Sequence, residues 1–192
     1  MADRRMIIAL DVSTTSELND LVARIPNTHC RVKIGKELFT SVGPLAIEIC
    51  HAAGLEVFLD LKFHDIPNTC AKAVLAAARL GVWMTNVHCA GGADMMRAAR
   101  EILEGQPHRP LLIGVTVLTS MSQKDLRETG VEQDLEGRVD HLARLADQSG
   151  LDGVVCSAQE TQRLRRSLGD HFCLVTREFG RVGRLVMTKL EL

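Results

Sequence analysis

Aromatic residues are scarce: the 192-residue chain has no tyrosine, one tryptophan and five phenylalanines, 3% in all. Surfaces that stack nucleic-acid bases need more than that. Neither sign of charge is in excess, with 23 Lys plus Arg against 24 Asp plus Glu and a net charge of -1. That balance argues against a nucleic-acid partner. Cys30, Cys50, Cys70, Cys89, Cys156 and Cys173 stand singly, with no Cys-x-x-Cys pair. Zinc-site spacing and a small disulfide framework are thereby excluded. No stretch approaches the roughly 18 apolar residues of a membrane span. The opening MADRRMIIALD has an apolar run too short for a signal peptide, and it meets Asp11. A soluble protein of a reducing compartment, the cytoplasm, is expected.

What is present is globular: 46% hydrophobic and 24% charged residues, enough chain for one domain with a real core. Short apolar runs alternate with amphipathic stretches. Strands are expected at 6–11, 30–35, 56–62, 83–88, 110–118, 151–156 and 171–176. Helices are expected at 16–25 with Ser16 as its cap, from after 35 to Ala53, and at 68–80, 93–103, 137–149 and 159–168. Repeated β-then-α units with short apolar strands point to a parallel sheet covered on both faces. A doubly wound sheet would show a Gly-rich first turn, and Asp11-Val12-Ser13 is not one. The α/β class with a (β/α)8 TIM barrel fits better, because polar residues gather where strands end: Asp11, Lys33, Asp60, Lys62, His88 and Thr119. The pattern supplies about seven βα units, so an eighth strand and the last helices are expected to be missing.

The third run, EVFLDLKFHDIPNT (56–69), carries Asp60, Lys62 and Asp65 within six residues. Side chains two apart on a strand share a face, so Asp60 and Lys62 point one way and Leu59, Leu61 and Phe63 the other. Lys33, on a neighbouring strand, can reach the same space. Opposite charges side by side keep each other ionised, and such an array can hold an anion, repel another and hand over a proton. Several readings stand at this point. The charges form a structural ion-pair network at a barrel mouth, or Asp60, His64, Asp65 and His88 hold a metal. AGGADMM (90–96) is either a phosphate cradle or a tight turn. His88 and Cys156 are either chemical groups or core residues.

The run DLKFHDIPNT (60–69) resembles the signature of the orotidine 5′-phosphate decarboxylase family. The likeness extends through ALD (9–11), KIGKELFTSVGP (33–44), GVWMTNVHCAGG (81–92), LLIGVTVLTSM (111–121) and LDGVVCSAQE (151–160), about nine-tenths of the chain in order and spacing. Asp-x-Lys-x-x-Asp alone marks a wider group of phosphosugar decarboxylases and aldolases, whereas the Ile-Pro-x-Thr extension is specific to the orotidylate enzymes. The resemblance implies a cofactor-free decarboxylation of orotidylate to uridylate, with no metal. It makes Lys62 the proton donor, sets Asp60 against the departing carboxylate, and has Lys33 hold Asp60 and a ribose hydroxyl. It gives ribose to Asp11 and places Thr119, with Ser122 as a further candidate, in the loop that contacts the pyrimidine. It counts Asp65 with Lys62, Asp60 and Lys33 among the catalytic residues, and Asp65, Ile66 and Thr69 join the substrate-binding set. Asp65 and Thr69 would complete the neighbouring subunit's site, which implies a homodimer inactive as monomers.

After LVT (174–176) the family pattern continues Pro-Gly-Ile-Arg-Pro and a Gln-bearing phosphate loop, but here the chain reads REFGRVGRLVMTKLEL. Arg181 and Arg184 do not match the phosphate-gripping Arg by motif. A one-base slip explains the departure. Codons CGG GAA TTC GGN encode Arg177-Glu178-Phe179-Gly180 and, shifted, read Pro-Gly-Ile-Arg. Met187-Thr188 then forces an Asp at the spacing the family has. Residues 1–176 are therefore expected to form the barrel and 177–192 an unrelated, frame-shifted tail. An unclosed barrel would expose the edges of its first and seventh strands, unless RLVMTKL (184–190) takes the missing place. Two functional readings follow: an orotidylate decarboxylase, or a catalytically dead product that folds poorly or only pairs with an intact subunit.

Overall fold

The computed structural model describes residues 4–182 and 185–191, with side chains from Arg4 to Thr176. Seven parallel strands, β1 (Met6–Ala9), β2 (Cys30–Gly35), β3 (Val57–Phe63), β4 (Met84–His88), β5 (Leu111–Val115), β6 (Gly153–Cys156) and β7 (Cys173–Val182), stand in sequence order. Around them lie α1 (Thr15–Val22), α2 (Lys36–Val42), α3 (Leu45–Ala52), α4 (Pro67–Arg79), α5 (Ala93–Glu101), α6 (Gln123–Glu128), α7 (Leu135–Gln148) and α8 (Thr161–Leu168).

The strands read as apolar runs because both faces are covered. Inside the barrel, Ile7, Phe58, Met84, Ile113, Cys173 and Val175 pack together. Outside, Ile8, Val32, Ile34, Val57 and Leu59 meet α1 to α3, while Val87, Leu112, Val154 and Leu174 meet α4, α5, α7 and α8. Arg31 closes the end away from the cleft described below, its guanidinium 3.9 Å from the Trp83 ring centroid and 2.9 Å from Glu56. All six cysteines are buried, and none is in a disulfide among the described residues. Cys156 belongs to the outer core with Leu164, Phe172 and Leu174, so it packs. No helix among the described residues is long and apolar enough to cross a membrane.

Three local expectations are corrected. Thr14 caps α1, its Oγ1 accepting from Glu17 N at 3.2 Å, two positions before the expected Ser16. The helix expected through Ala53 is two helices, because Gly43 takes φ 70° and Pro44 follows it. The polar stretch after β5 contains α6, held by a capping box between Ser122 and Asp125.

The larger difference lies in the tail. No eighth βα unit follows β7 among the described residues, as expected, yet the barrel is closed. An eighth strand, β8 (Leu185–Glu191), fills the gap, antiparallel to both β7 and β1. The edges that an unclosed barrel would expose are therefore paired, and the strand that pairs them lies largely within 184–190, the segment named above as able to take the missing place. Two residues separate β7 from β8, and so short a link permits only antiparallel pairing, since a parallel strand needs a crossover of a dozen residues or more. Arg184 lies outside the described residues, as do the side chains from Arg177 onward.

Candidate active site

β3 carries the charges to the mouth of the barrel. Phe58, Asp60 and Lys62 face a cleft of about 290 Å³, whereas Leu59, Leu61 and Phe63 join the outer core. Asp60, 9% exposed, is the hub. Its Oδ1 lies 2.6 Å from Lys62 Nζ, and its Oδ2 lies 3.3 Å from Lys33 Nζ on β2. Burial works against the Asp60 charge. The Lys33 and Lys62 ammonium groups, with hydrogen bonds from Lys62 and Asn86, outweigh it and hold the carboxyl below the usual carboxylate range. A buried anion between two cations is a fixed field open to a ligand on one side.

Lys62 has φ 52°, the sole positive φ outside glycine among the described residues. A left-handed backbone costs an ordinary residue about 1–2 kcal/mol, and such strain collects at functional sites.

Asp11, after β1, and Thr119, after β5, line the same cleft, with Val117, Leu118 and Ser120 beside Thr119 and with Val155 and Val175 on the far wall. The cleft is thus charged on the β1–β3 side and largely apolar on the β5–β7 side. Ser122 is committed to its cap: its hydroxyl donates to Asp125 Oδ2 at 2.7 Å. Asp65, Ile66 and Thr69 are exposed at the start of α4 and do not line the cleft of their own chain. Asp65 Oδ1 accepts from Ile66 N at 2.7 Å, and Ile66 is 67% exposed.

The His64 and His88 rings are 5.4 Å apart. Burial, then His64, Lys36 and Lys62, lower the His88 pKa, with Asp60 opposing. No cluster of three metal-ligating side chains exists among the described residues, so Asp60, His64, Asp65 and His88 do not form the metal site considered above. Gly91 and Gly92 make a single tight turn into α5, Gly92 at φ 87°.

The family model described as "Orotidine 5'-phosphate decarboxylase / HUMPS family" matches residues 4–185. The chain belongs to this family. It is 56% identical over 172 residues to the orotidine 5′-phosphate decarboxylase of Hahella chejuensis, covering 90% of this chain and 74% of that protein. It is 53% identical over 198 aligned positions to the enzyme of the same name from Vibrio vulnificus, covering 100% of this chain and 85% of that protein. Among solved structures, the orotidine 5′-phosphate decarboxylase of Lactobacillus acidophilus superposes with a TM-score of 0.83 at 40% identity, over 88% of this chain and 79% of that one. An uncharacterized conserved protein from Geobacillus kaustophilus superposes with a TM-score of 0.80 at 41% identity, over 88% and 80%.

As a member of the orotidine 5′-phosphate decarboxylase family the chain is an enzyme of the carboxy-lyase class. Of the residues singled out in its sequence, the cleft gathers Asp11, Lys33, Asp60, Lys62 and Thr119 in one chain. Asn86 was missed. It is fully buried on β4, and its Nδ2 donates to Asp60 Oδ1 at 2.7 Å. The signal available was an amide at a buried strand position, in MTNVH.

Proposed function

We propose that this chain decarboxylates orotidine 5′-monophosphate to uridine 5′-monophosphate without a cofactor. The observation that carries the reading is Lys62 Nζ held 2.6 Å from buried Asp60 in the cleft, within a chain of this family. The bond from the pyrimidine ring to the carboxylate breaks, its electron pair stays on the ring carbon, and carbon dioxide leaves. Lys62 Nζ delivers the proton that the ring carbon takes up. Asp60 lies against the substrate carboxylate, and their repulsion ends when neutral carbon dioxide departs. Lys33 fixes Asp60 and a ribose hydroxyl, Asp11 binds ribose, and Thr119 lies beside the pyrimidine. Asp65, Ile66 and Thr69, exposed on their own chain, complete the site of a second copy in a homodimer.

The test is ultraviolet absorbance of orotidylate incubated with the purified chain, beside Lys62→Ala. Loss of the orotidylate signal with the parent alone supports the reading. A folded parent with no turnover sinks it.

One observation favours a second reading: after Thr176 the backbone runs through a β7–β8 pair instead of an eighth βα unit. In that reading residues 177–192 are a frame-slipped tail, the chain has the charged array without a phosphate grip, and it only lends Asp65 and Thr69 to an intact subunit. Remote phosphate contacts lower the barrier when their binding energy is realised in the transition state, so their loss reduces turnover. The coding DNA checks the slip. A shifted frame that closes with a stop before the family's Gly-Arg pair would rule it out.

A further inference from the structure

β3 and β4 do not keep step. Leu59 pairs with Thr85, but the next matched pair is Phe63 with Val87, so four steps along β3 (59 to 63) run against two along β4 (85 to 87). The excess is a bulge, and bulges re-aim side chains at the cost of ladder hydrogen bonds. Asp60 and Lys62 lie inside it, with Lys62 in the left-handed region. The Lys62 N–H, which a regular ladder would give to a carbonyl, is donated to Asn86 Oδ1 at 2.8 Å. The other end of the same amide donates to Asp60 Oδ1 at 2.7 Å. Its orientation is fixed by chemistry: a backbone N–H needs the oxygen, and a carboxylate needs the NH₂.

Asn86 is fully buried, so each end of its amide would be costly if left unpaired. Both ends are used on the two charged residues of one bulge. A hydroxyl at position 86 is too short to span them, and a carboxylate offers nothing to donate. Thr85 plays a different part, tying its hydroxyl to Leu59 O below the bulge at 3.1 Å.

We propose that Asn86 is a positioning residue: its amide replaces the missing ladder bonds, holds Lys62 in its left-handed conformation, and fixes the Asp60 oxygen that Lys62 Nζ meets. The proposal rests on the reading of Lys62 and Asp60 as the reacting pair, but its geometry can be tested without turnover.

The experiment is NMR on the full chain, the parent beside Asn86→Asp and Asn86→Ala, with circular dichroism and thermal melting as the check on folding. In the parent, the Asn86 side-chain NH₂ resonances shift together with the Asp60 carboxyl as pH is lowered. In folded variants, the Asp60 midpoint moves up, the Lys62 amide exchanges roughly tenfold faster, and the Lys62 α-carbon shift moves toward that of an ordinary strand residue. A merely structural amide would lower the melting temperature and leave those Lys62 and Asp60 signals alone, which overturns the proposal. So does a parent whose Asn86 NH₂ ignores the Asp60 titration, and this arm decides the matter even where both variants fail to fold. Where the parent turns over orotidylate, Asn86→Asp lowers kcat at least tenfold with KM within about twofold. A parent that turns over no substrate counts against the functional reading alone, because the Asn86 result comes from the spectra.

Discussion

Ile8 on β1 is the register partner of Met187 on β8, so the first and last strands of the barrel are hydrogen-bonded neighbours. On the other side Thr176 of β7 lies opposite Lys189. One short segment therefore covers two edges that would otherwise present unpaired N–H and C=O groups to other chains.

A chain ended after Thr176 loses that cover on both sides. It is expected to melt well below the parent and to form high-molecular-weight species, because two open edges in a domain of about 5–15 kcal/mol net stability leave little margin. Size-exclusion chromatography and a thermal melt check this. An unchanged melting temperature and elution volume would mean that β8 adds nothing to the barrel.

Lys62→Ala removes the ammonium paired with Asp60 while leaving the apolar side of β3 untouched. Turnover of orotidylate is expected to fall by about 10²–10⁴-fold or more, the usual worth of a positioned proton donor. Circular dichroism should stay at the parent's value. Retained kcat would assign the proton to another group.

Acid should weaken the fold through Asp60. Its carboxyl is held below the usual range in the folded chain, so the folded state binds its proton less readily than the unfolded state. The stabilisation is complete above the unfolded value of about 3.9 and is lost as pH falls through the lower, folded value. Urea midpoints of the parent and Asp60→Asn, taken at neutral pH and near pH 3, should converge in acid. Equal slopes against pH in the two proteins would show that Asp60 is not the group responsible.

The strands and their polar ends were legible because a buried parallel strand is a continuous apolar run, and a charge at its end is conspicuous. Lys33, Asp60 and Lys62 converge as their spacing on neighbouring strands implies. Local details were less legible. α6 has one buried residue, Leu126, and so shows no apolar stripe. Thr14 outcompetes Ser16 as a cap through the geometry of its own backbone. Asn86 could not be found from its neighbours, because its partners lie 24 and 26 positions away and meet it through a register shift. The direction of β8 depended on the length of a link, where pattern alone supplies only an apolar segment.

The tightest glycine among the described residues gives the clearest stability prediction. A Cβ on Gly153 of β6 would lie 2.1 Å from the carbonyl oxygen of Cys173 and 2.6 Å from its Cβ. The nearer obstacle is backbone of the adjacent strand, and Gly153 is the register partner of Cys173, so no rotamer relieves the clash. Gly153→Ala must push β6 and β7 apart where Asp152 also anchors, its Oδ2 accepting from Leu112 N at 2.8 Å. The expected loss is about 1–3 kcal/mol, typical of overpacking. A substitution at Gly105, where nothing lies within 4 Å but φ is 71°, should cost less. Urea denaturation of Gly153→Ala and Gly105→Ala, side by side, separates close packing from backbone strain. A Gly153→Ala midpoint equal to the parent's would mean that β6 and β7 can spread without penalty.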